Sequence, residues 1–238
     1  MTYKEFRKES PIPSFLDMPL SSSMCYIFSP YISKWCIKNK IKPNTVTLMM
    51  IISGVLGGLV LMIPLAWCKL VSCFIYYIWF TLDLSDGEVA RMTKTFSKGG
   101  KYLDWSAHLA THPLCIIGIW ITFFQFTEYN MVMISLFCML LLSLELINRK
   151  LVAINDLAFK DLSDVAKGKE NLIKKIYLYI ISQIAWFPNI VLILPVLFSI
   201  QIIFNFNFFL YVFLSWSSLY SLYVIKRFLS FIKLMYKI

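Results

Sequence analysis

The sequence predicts an all-α integral membrane protein with six transmembrane helices. Of its 238 residues, 59% are hydrophobic and only 15% are charged, and the mean hydropathy is +0.70. A water-soluble domain of this length carries about a quarter charged residues. Several apolar runs also approach the roughly 20 residues that cross a bilayer core. The distribution of basic residues along the chain is the third observation that supports this fold class.

Hydropathy and length place the six spans at about residues 46–65, 67–87, 101–125, 130–149, 184–203 and 206–225. We therefore divide the chain into three parts. Residues 1–45 form an N-terminal segment, 46–225 a six-helix membrane domain, and 226–238 a basic tail.

The basic residues are concentrated at the two termini and in every second connection between the predicted spans. Apart from Lys69, the 23 lysines and arginines fall before the first span, after the last one, or within and at the edges of the second and fourth connections. By the positive-inside rule that side of the membrane is cytoplasmic, and both termini lie there. This distribution accounts for the net charge of +10, so we expect no nucleic-acid partner.

Two further segments mix aromatic and aliphatic residues with lysines, as helices at a membrane surface do. They are residues 21–42, the predicted N-terminal interfacial helix, and residues 171–184. The second could equally lead directly into the fifth span. A solvated loop is predicted at 155–170.

Small residues predict close packing in the membrane domain. Gly54 and Gly58 form a GxxxG pattern, which favours a close helix contact over a dedicated dimer contact.

The six cysteines contain no CxxC pair, and we interpret them as apolar packing residues rather than disulfides or zinc ligands.

Ionisable side chains inside membrane spans indicate function. Asp83 and Asp86 are three residues apart and share a helix face, while Gly100, Asp104 and His108 follow each other at intervals of four. A short loop joins the two spans, so these polar stripes can meet near the cytoplasmic surface. Converging carboxylates of this kind suit Mg²⁺ or Mn²⁺.

The residues around the acids suit a diphosphate. Gly87, Ala90 and Gly100 are small and leave room for a ligand. Arg91 supplies a planar cation for phosphate. The alternative is that the aspartates only form structural ion pairs with Arg91, Lys94 or Lys98.

The same stretch resembles the signature of the CDP-alcohol phosphotransferase (CDP-alcohol phosphatidyltransferase) family, D-x2-D-G-x2-A-R-x8-G-x3-D-x3-D. Its fixed positions are here Asp83, Asp86, Gly87, Ala90, Arg91, Gly100 and Asp104, with His108 in place of the last aspartate. The six-span layout and the sequence KPNTVT at 42–47 are also similar to that family. The resemblance therefore covers most of the chain.

The resemblance implies a transferase that moves a substituted phosphate from a CDP-linked alcohol to a hydroxyl acceptor, usually in lipid synthesis, and releases CMP. The implied metal ligands are Asp83, Asp86, Asp104 and His108. The implied nucleotide and phosphate site consists of Asp83, Gly87, Ala90, Arg91 and Gly100. Asn44 and Thr47 are weaker candidates for the same site, and capping of the first span is an equal alternative.

His108 occupies the position that the family assigns to a general base and metal ligand. Neutral imidazole is a competent base near pH 7, but it should weaken a second Mg²⁺ site or favour Mn²⁺. We expect a base role. The alternatives are a bystander histidine, or a member that only binds a nucleotide-linked lipid or a membrane partner.

The resemblance also suggests the setting. We expect a bacterial plasma membrane, an active site facing the cytoplasm, a lipid acceptor and a homodimer, with a CMP-linked phosphonate as a second donor class. A transporter is less favoured, because the acids cluster at one depth and Glu145 is the only other acid in a span.

The acceptor site has few candidates. Asn148 and Arg149 end the fourth span, although a basic helix end more often anchors the topology. We interpret His112, one turn beyond His108, as a packed and hydrogen-bonded side chain.

Overall fold

A computed structural model describes residues 3–13, 18, 20–126, 128, 130–158, 176, 179–180, 183, 187–204 and 208–236. The regular elements in these ranges are all α-helices, which confirms the all-α class. They are α1 (Tyr3–Glu9), α2 (Leu20–Lys38), α3 (Pro43–Leu61), α4 (Ala66–Thr93), α5 (Gly100–Phe126), α6 (Met131–Ala158), α7 (Phe187–Phe204) and α8 (Phe208–Met235).

Five stretches among the described residues are long and apolar enough to cross a membrane. They are α3, α4, α5, residues Met131–Ile154 of α6 and residues Phe208–Lys233 of α8. Helix α7, with 18 residues, overlaps the predicted fifth span and is not among these five. The six-span count and the cytoplasmic termini therefore remain predictions.

The helix ends differ from the predicted spans. Helix α3 ends at Leu61, four residues early, because Pro64 lacks an N–H and disfavours helical geometry in the residue before it. Helices α4 and α6 instead continue past their apolar runs to Thr93 and Ala158, since hydropathy marks only the part of a helix that lies in lipid. The first residues of the predicted loop 155–170 are thus helical. Residues 159–170 and most of 171–184 lie outside the described residues.

Helix α3 lies against both helices that carry the motif, α4 and α5. A Cβ atom on Gly54 would lie 2.3 Å from Thr111 Cγ2, and one on Gly58 would lie 2.9 Å from Leu114 Cβ. The GxxxG glycines therefore allow α3 and α5 to approach each other within one chain, as the packing interpretation expects.

Helix α2 directs its small polar residues inward. Ser29 and Ser33 are fully buried, whereas Phe28, Tyr31 and Trp35 are each more than half exposed. An outward aromatic face suits a helix at the membrane surface. The helical structure agrees with the predicted interfacial helix, and its position at the membrane surface remains a prediction.

Lys69 is the exception to the charge alternation, and it is buried. Its Nζ donates to the carbonyl oxygens of Leu61 and Ile63 at 2.6 and 2.8 Å, and to Gln125 Oε1 at 2.7 Å. These carbonyls end α3, where a cation complements the negative end of the helix dipole. Lys69 thus stabilises a helix end instead of facing solvent.

All six cysteines are buried free thiols, in agreement with the packing interpretation. They are Cys25, Cys36, Cys68, Cys73, Cys115 and Cys138.

Candidate active site

The turn between α4 and α5 brings the two polar stripes together. Helix α4 ends at Thr93, and its C-cap residue, Lys94, adopts the left-handed conformation with φ of 54°. The backbone N–H groups of Lys94 and Thr95 then bond to the carbonyls of Arg91 and Ala90, at 3.4 and 3.2 Å. These bonds satisfy the helix end, and the chain reverses within a few residues to begin α5 at Gly100.

Asp83, Asp104 and His108 form the polar group of the site. His108 Nε2 lies 3.2 Å from Asp83 Oδ1 and 3.5 Å from Asp104 Oδ1. One ligand atom from each residue lies within 4.8 Å of the others. Two carboxylate oxygens and an imidazole nitrogen at this spacing fit a divalent cation such as Mn²⁺ or Mg²⁺. The side chain of Asp104 is 38% exposed, so solvent reaches the group at Asp104.

Asp86 is not part of this three-residue group. Its Oδ2 accepts a hydrogen bond of 2.7 Å from Thr47 Oγ1 on α3. Asp86 and Asp104 both line the same neighbouring cleft. The structure therefore brings three of the four predicted metal ligands together and directs the fourth toward α3.

The cleft, measured together with the open solvent at its mouth, has a volume of about 780 Å³ and lies between the start of α3, the end of α4 and the start of α5. Four of the five predicted nucleotide and phosphate residues line it, and Asp83 does not. The lining consists of Pro43, Asn44, Thr47, Asp86, Gly87, Ala90, Arg91, Thr95, Phe96, Ser97, Gly100, Lys101 and Asp104. Thr95, Phe96, Ser97 and Lys101 were missed, because they occupy variable positions of the motif.

Asn44 and Thr47 belong to the cleft wall rather than to a helix cap. The N-cap of α3 is Lys42, and it makes no side-chain cap bond. Asn44 Oδ1 instead accepts a 3.0 Å hydrogen bond from Ser97 Oγ. A Cβ atom on Gly100 would lie 2.9 Å from Ser97 Oγ, so the absence of a side chain at Gly100 preserves this side of the cleft.

A buried ion pair between α1 and the motif helix α4 was also missed. Glu88 is fully buried, and its Oε1 accepts from Arg7 Nη1 at 2.6 Å. Ser29 and Ser33 donate to its two carboxylate oxygens at 2.8 and 2.7 Å. The pair fastens α1 and α2 to the motif helix. No local pattern could have indicated it, because 81 residues separate the two charges.

A chain of polar contacts leads from His108 into the protein. His108 Nδ1 lies 3.3 Å from His112 Nε2, and His112 Nδ1 lies 2.7 Å from Glu145 Oε1. Arg149 Nε donates to the same Glu145 oxygen at 2.7 Å, and the Tyr220 hydroxyl donates to Oε2. His112 is thus both packed and hydrogen-bonded, as expected. The chain of contacts from His108 through His112 to Glu145 was not predicted from the sequence.

The two acceptor candidates also belong to this network. Asn148 is buried, and its Nδ2 donates to the Tyr220 hydroxyl at 2.8 Å. Its Oδ1 accepts from Arg227 Nη1 at 3.0 Å, so both ends of the amide are bonded within the protein. Arg149 contacts Glu145 as described.

Comparison with known families gives a match. The family model for CDP-alcohol phosphatidyltransferase matches residues 40–212. No curated protein matches the chain significantly. The matched range is most of the chain and contains the cleft, the three-residue group and Glu145.

Proposed function

The chain belongs to the CDP-alcohol phosphatidyltransferase family, and we propose that it transfers a substituted phosphate from a CDP- or CMP-linked donor to a hydroxyl acceptor. CMP is the leaving product. The family is typically dependent on divalent metals. We further propose a lipid acceptor, a bacterial plasma membrane and an active site that faces the cytoplasm.

The observation that carries this proposal is the position of the cleft beside the three-residue group. Arg91 and Lys101 supply cations to a cleft that also contains Asp104. Gly87, Ala90 and Gly100 leave space for a nucleotide next to these charges. A diphosphate in the cleft would therefore have its anionic oxygens beside the arginine and its reacting phosphorus near His108.

Asp83 and Asp104 are the proposed first ligands of a divalent metal, and Asp86 is the proposed link between the metal and the cleft wall. A bound Mg²⁺ or Mn²⁺ would neutralise the diphosphate and stabilise the leaving CMP. Thr47 holds the Asp86 carboxylate by one hydrogen bond, which fixes its orientation before the substrate enters.

His108 can offer one nitrogen to this chemistry. Its Nδ1 faces His112, so Nε2 alone faces Asp83 and Asp104. That nitrogen cannot accept a proton and bind a metal at the same moment. We assign it as the general base: the acceptor oxygen attacks phosphorus, the bond from phosphorus to the CMP oxygen breaks, and the acceptor proton passes to Nε2.

The test is release of CMP by the purified full-length protein in lipid nanodiscs. CDP-linked alcohols and CMP-linked phosphonates are offered with Mg²⁺ or Mn²⁺, with and without hydroxyl acceptors. We expect metal-dependent release that increases with the correct acceptor. His108→Ala should lower turnover by about 10²–10⁴-fold, the usual contribution of a general base, and His108→Asp should retain part of it.

Two results would contradict the proposal at different points. Absence of metal-dependent release across the donor panel would refute the transferase, and donor binding without release would identify a non-catalytic nucleotide-lipid binder. Full turnover by His108→Ala would refute the base assignment alone.

A further inference from the structure

We propose that Ser10 is a positioning residue of the donor site, whose hydroxyl holds the Arg91 guanidinium over Gly87, beside the place for the diphosphate of a nucleotide-linked donor. Ser10 lies outside residues 40–212, which the family model matches. The inference rests on the proposed function for the identity of the donor.

Arg91 is held at two points beside the cleft. Its Nη2 donates to Ser10 Oγ at 3.4 Å. Its Nη1 lies 3.2 Å from the position that a Cβ atom on Gly87 would occupy, so the side chain folds back by about one turn along its own helix. Arg91 and Gly87 both line the cleft. The bond to Ser10 uses one of the five N–H groups of a guanidinium, and a parallel pair of N–H groups is what phosphate oxygens accept best.

Ser10 is itself fixed by the fold. Its side chain is buried, with 1% of the residue exposed. The backbone N–H of Ser10 donates to the carbonyl of Phe6 at 2.9 Å, and Phe6 is fully buried. Its carbonyl oxygen accepts from Arg7 Nη1 at 3.5 Å. The hydroxyl that meets Arg91 therefore belongs to an anchored piece of backbone.

The buried ion pair fixes Ser10 relative to Arg91. Arg7 Nη1 also donates to Glu88 Oε1 at 2.6 Å, and Glu88 precedes Arg91 by three residues on α4. Arg7 Nη2 donates to Ser29 Oγ on α2 at 3.2 Å. One arginine thus ties α1 both to α2 and to the turn of α4 that carries Arg91, and so it sets where Ser10 meets that side chain.

The contact matters because Arg91 is exposed. A long exposed side chain has many rotamers, and binding of a phosphate restricts them at a cost in entropy. An acceptor that is fixed by the fold selects among these rotamers before the donor enters, and such preorganisation increases affinity. Among the described residues, Ser10 is not part of the cleft lining. It therefore acts through Arg91 and not on the donor directly.

The test measures the affinity of CDP for the purified full-length protein in lipid nanodiscs, by isothermal titration calorimetry with Mg²⁺ present. CDP carries the base and the diphosphate but no alcohol, so binding is measured without turnover. Ser10→Ala should weaken CDP binding about 2–10-fold, the contribution of one hydrogen bond. Ser143→Ala is the matched control. It removes an exposed hydroxyl that bonds to the Met139 carbonyl of its own helix, and it should leave the affinity unchanged.

Two further substitutions separate positioning from a structural role. Ser10→Thr retains the hydroxyl and should bind CDP within about two-fold of wild type. Arg91→Met removes the group that Ser10 positions. In the Arg91→Met background, Ser10→Ala should cause no further loss of affinity, because two residues that act through one contact are not additive.

Wild-type affinity in Ser10→Ala would overturn the inference, and so would a Ser10→Thr variant that binds as weakly as Ser10→Ala. An added loss from Ser10→Ala in the Arg91→Met background would overturn it in favour of a structural role. Failure of CDP to bind the wild type would refute the donor site as well. The expected affinities without any CMP release from CDP-linked alcohols or CMP-linked phosphonates would leave the positioning role standing and refute the transferase.

Discussion

The buried ion pair between Arg7 and Glu88 gives the sharpest prediction about stability. Arg7→Met removes the cation and leaves a carboxylate that is fully buried with two serine hydroxyls as its remaining donors. We expect the free energy of unfolding to fall, because a buried charge without its counter-charge is far less favourable than the same charge in water.

The magnitude follows from what each variant leaves behind. Removal of one member of a buried pair costs about 3–5 kcal/mol, which we expect for Arg7→Met. Replacing both members with apolar residues is close to neutral for the pair itself. It deprives Ser29 and Ser33 of their acceptor, at about 1 kcal/mol each. The double variant Arg7→Met/Glu88→Met should therefore be more stable than Arg7→Met by about 1–3 kcal/mol.

Unfolding in mixed micelles with increasing SDS measures these differences. Lys8→Met is the matched control, because it removes the same charge from a neighbouring exposed residue and should change stability by less than about 0.5 kcal/mol. The reasoning is refuted if Arg7→Met lies within about 1 kcal/mol of wild type, or if the double variant is no more stable than the single one.

Three further predictions use the same preparations. Gly54→Ala should cost about 1–3 kcal/mol of stability by overpacking against Thr111, measured by the same unfolding assay; stability equal to wild type would show that the α3–α5 contact can relax. Gly100→Ala should raise the KM for the donor, whereas Gly99→Ala, whose Cβ would meet nothing within 4 Å, should not; equal effects would exclude Gly100 from the donor site. Chelation of divalent metal should abolish CMP release, and added Mg²⁺ or Mn²⁺ should restore it, because the carboxylates of Asp83 and Asp104 suit both ions; release that persists after chelation would refute the metal dependence.

The part of the site that depends on local helix geometry could be predicted from the sequence. Residues four apart lie on one helix face, so Asp104 and His108 had to be neighbours, and the short turn had to bring Asp83 to them. The separate contact of Asp86 has the same geometric origin. Residues three apart differ by about 60° in direction around a helix, and at Asp86 that difference is enough to direct the carboxylate to Thr47.

The contacts between distant helices could not be predicted. Glu145 was noticeable as an acid in an apolar span, but its partner His112 is 33 residues away, and several helix arrangements satisfy the same hydropathy. The sequence indicated the buried position of Arg7 even less, because its segment is short and polar. Such contacts depend on how the helices pack, and hydrophobic periodicity specifies which face is buried but not what it meets.

The burial of all six cysteines makes the native chain a ready background for labelling. A membrane-impermeant maleimide should leave these shielded thiols unmodified, so a single introduced cysteine would carry the whole signal. Gly99→Cys in the turn after α4 and Leu65→Cys in the turn after α3 occupy exposed positions at the two ends of α4. Labelling intact cells and inverted vesicles with these two variants would show directly which compartment the nucleotide must come from.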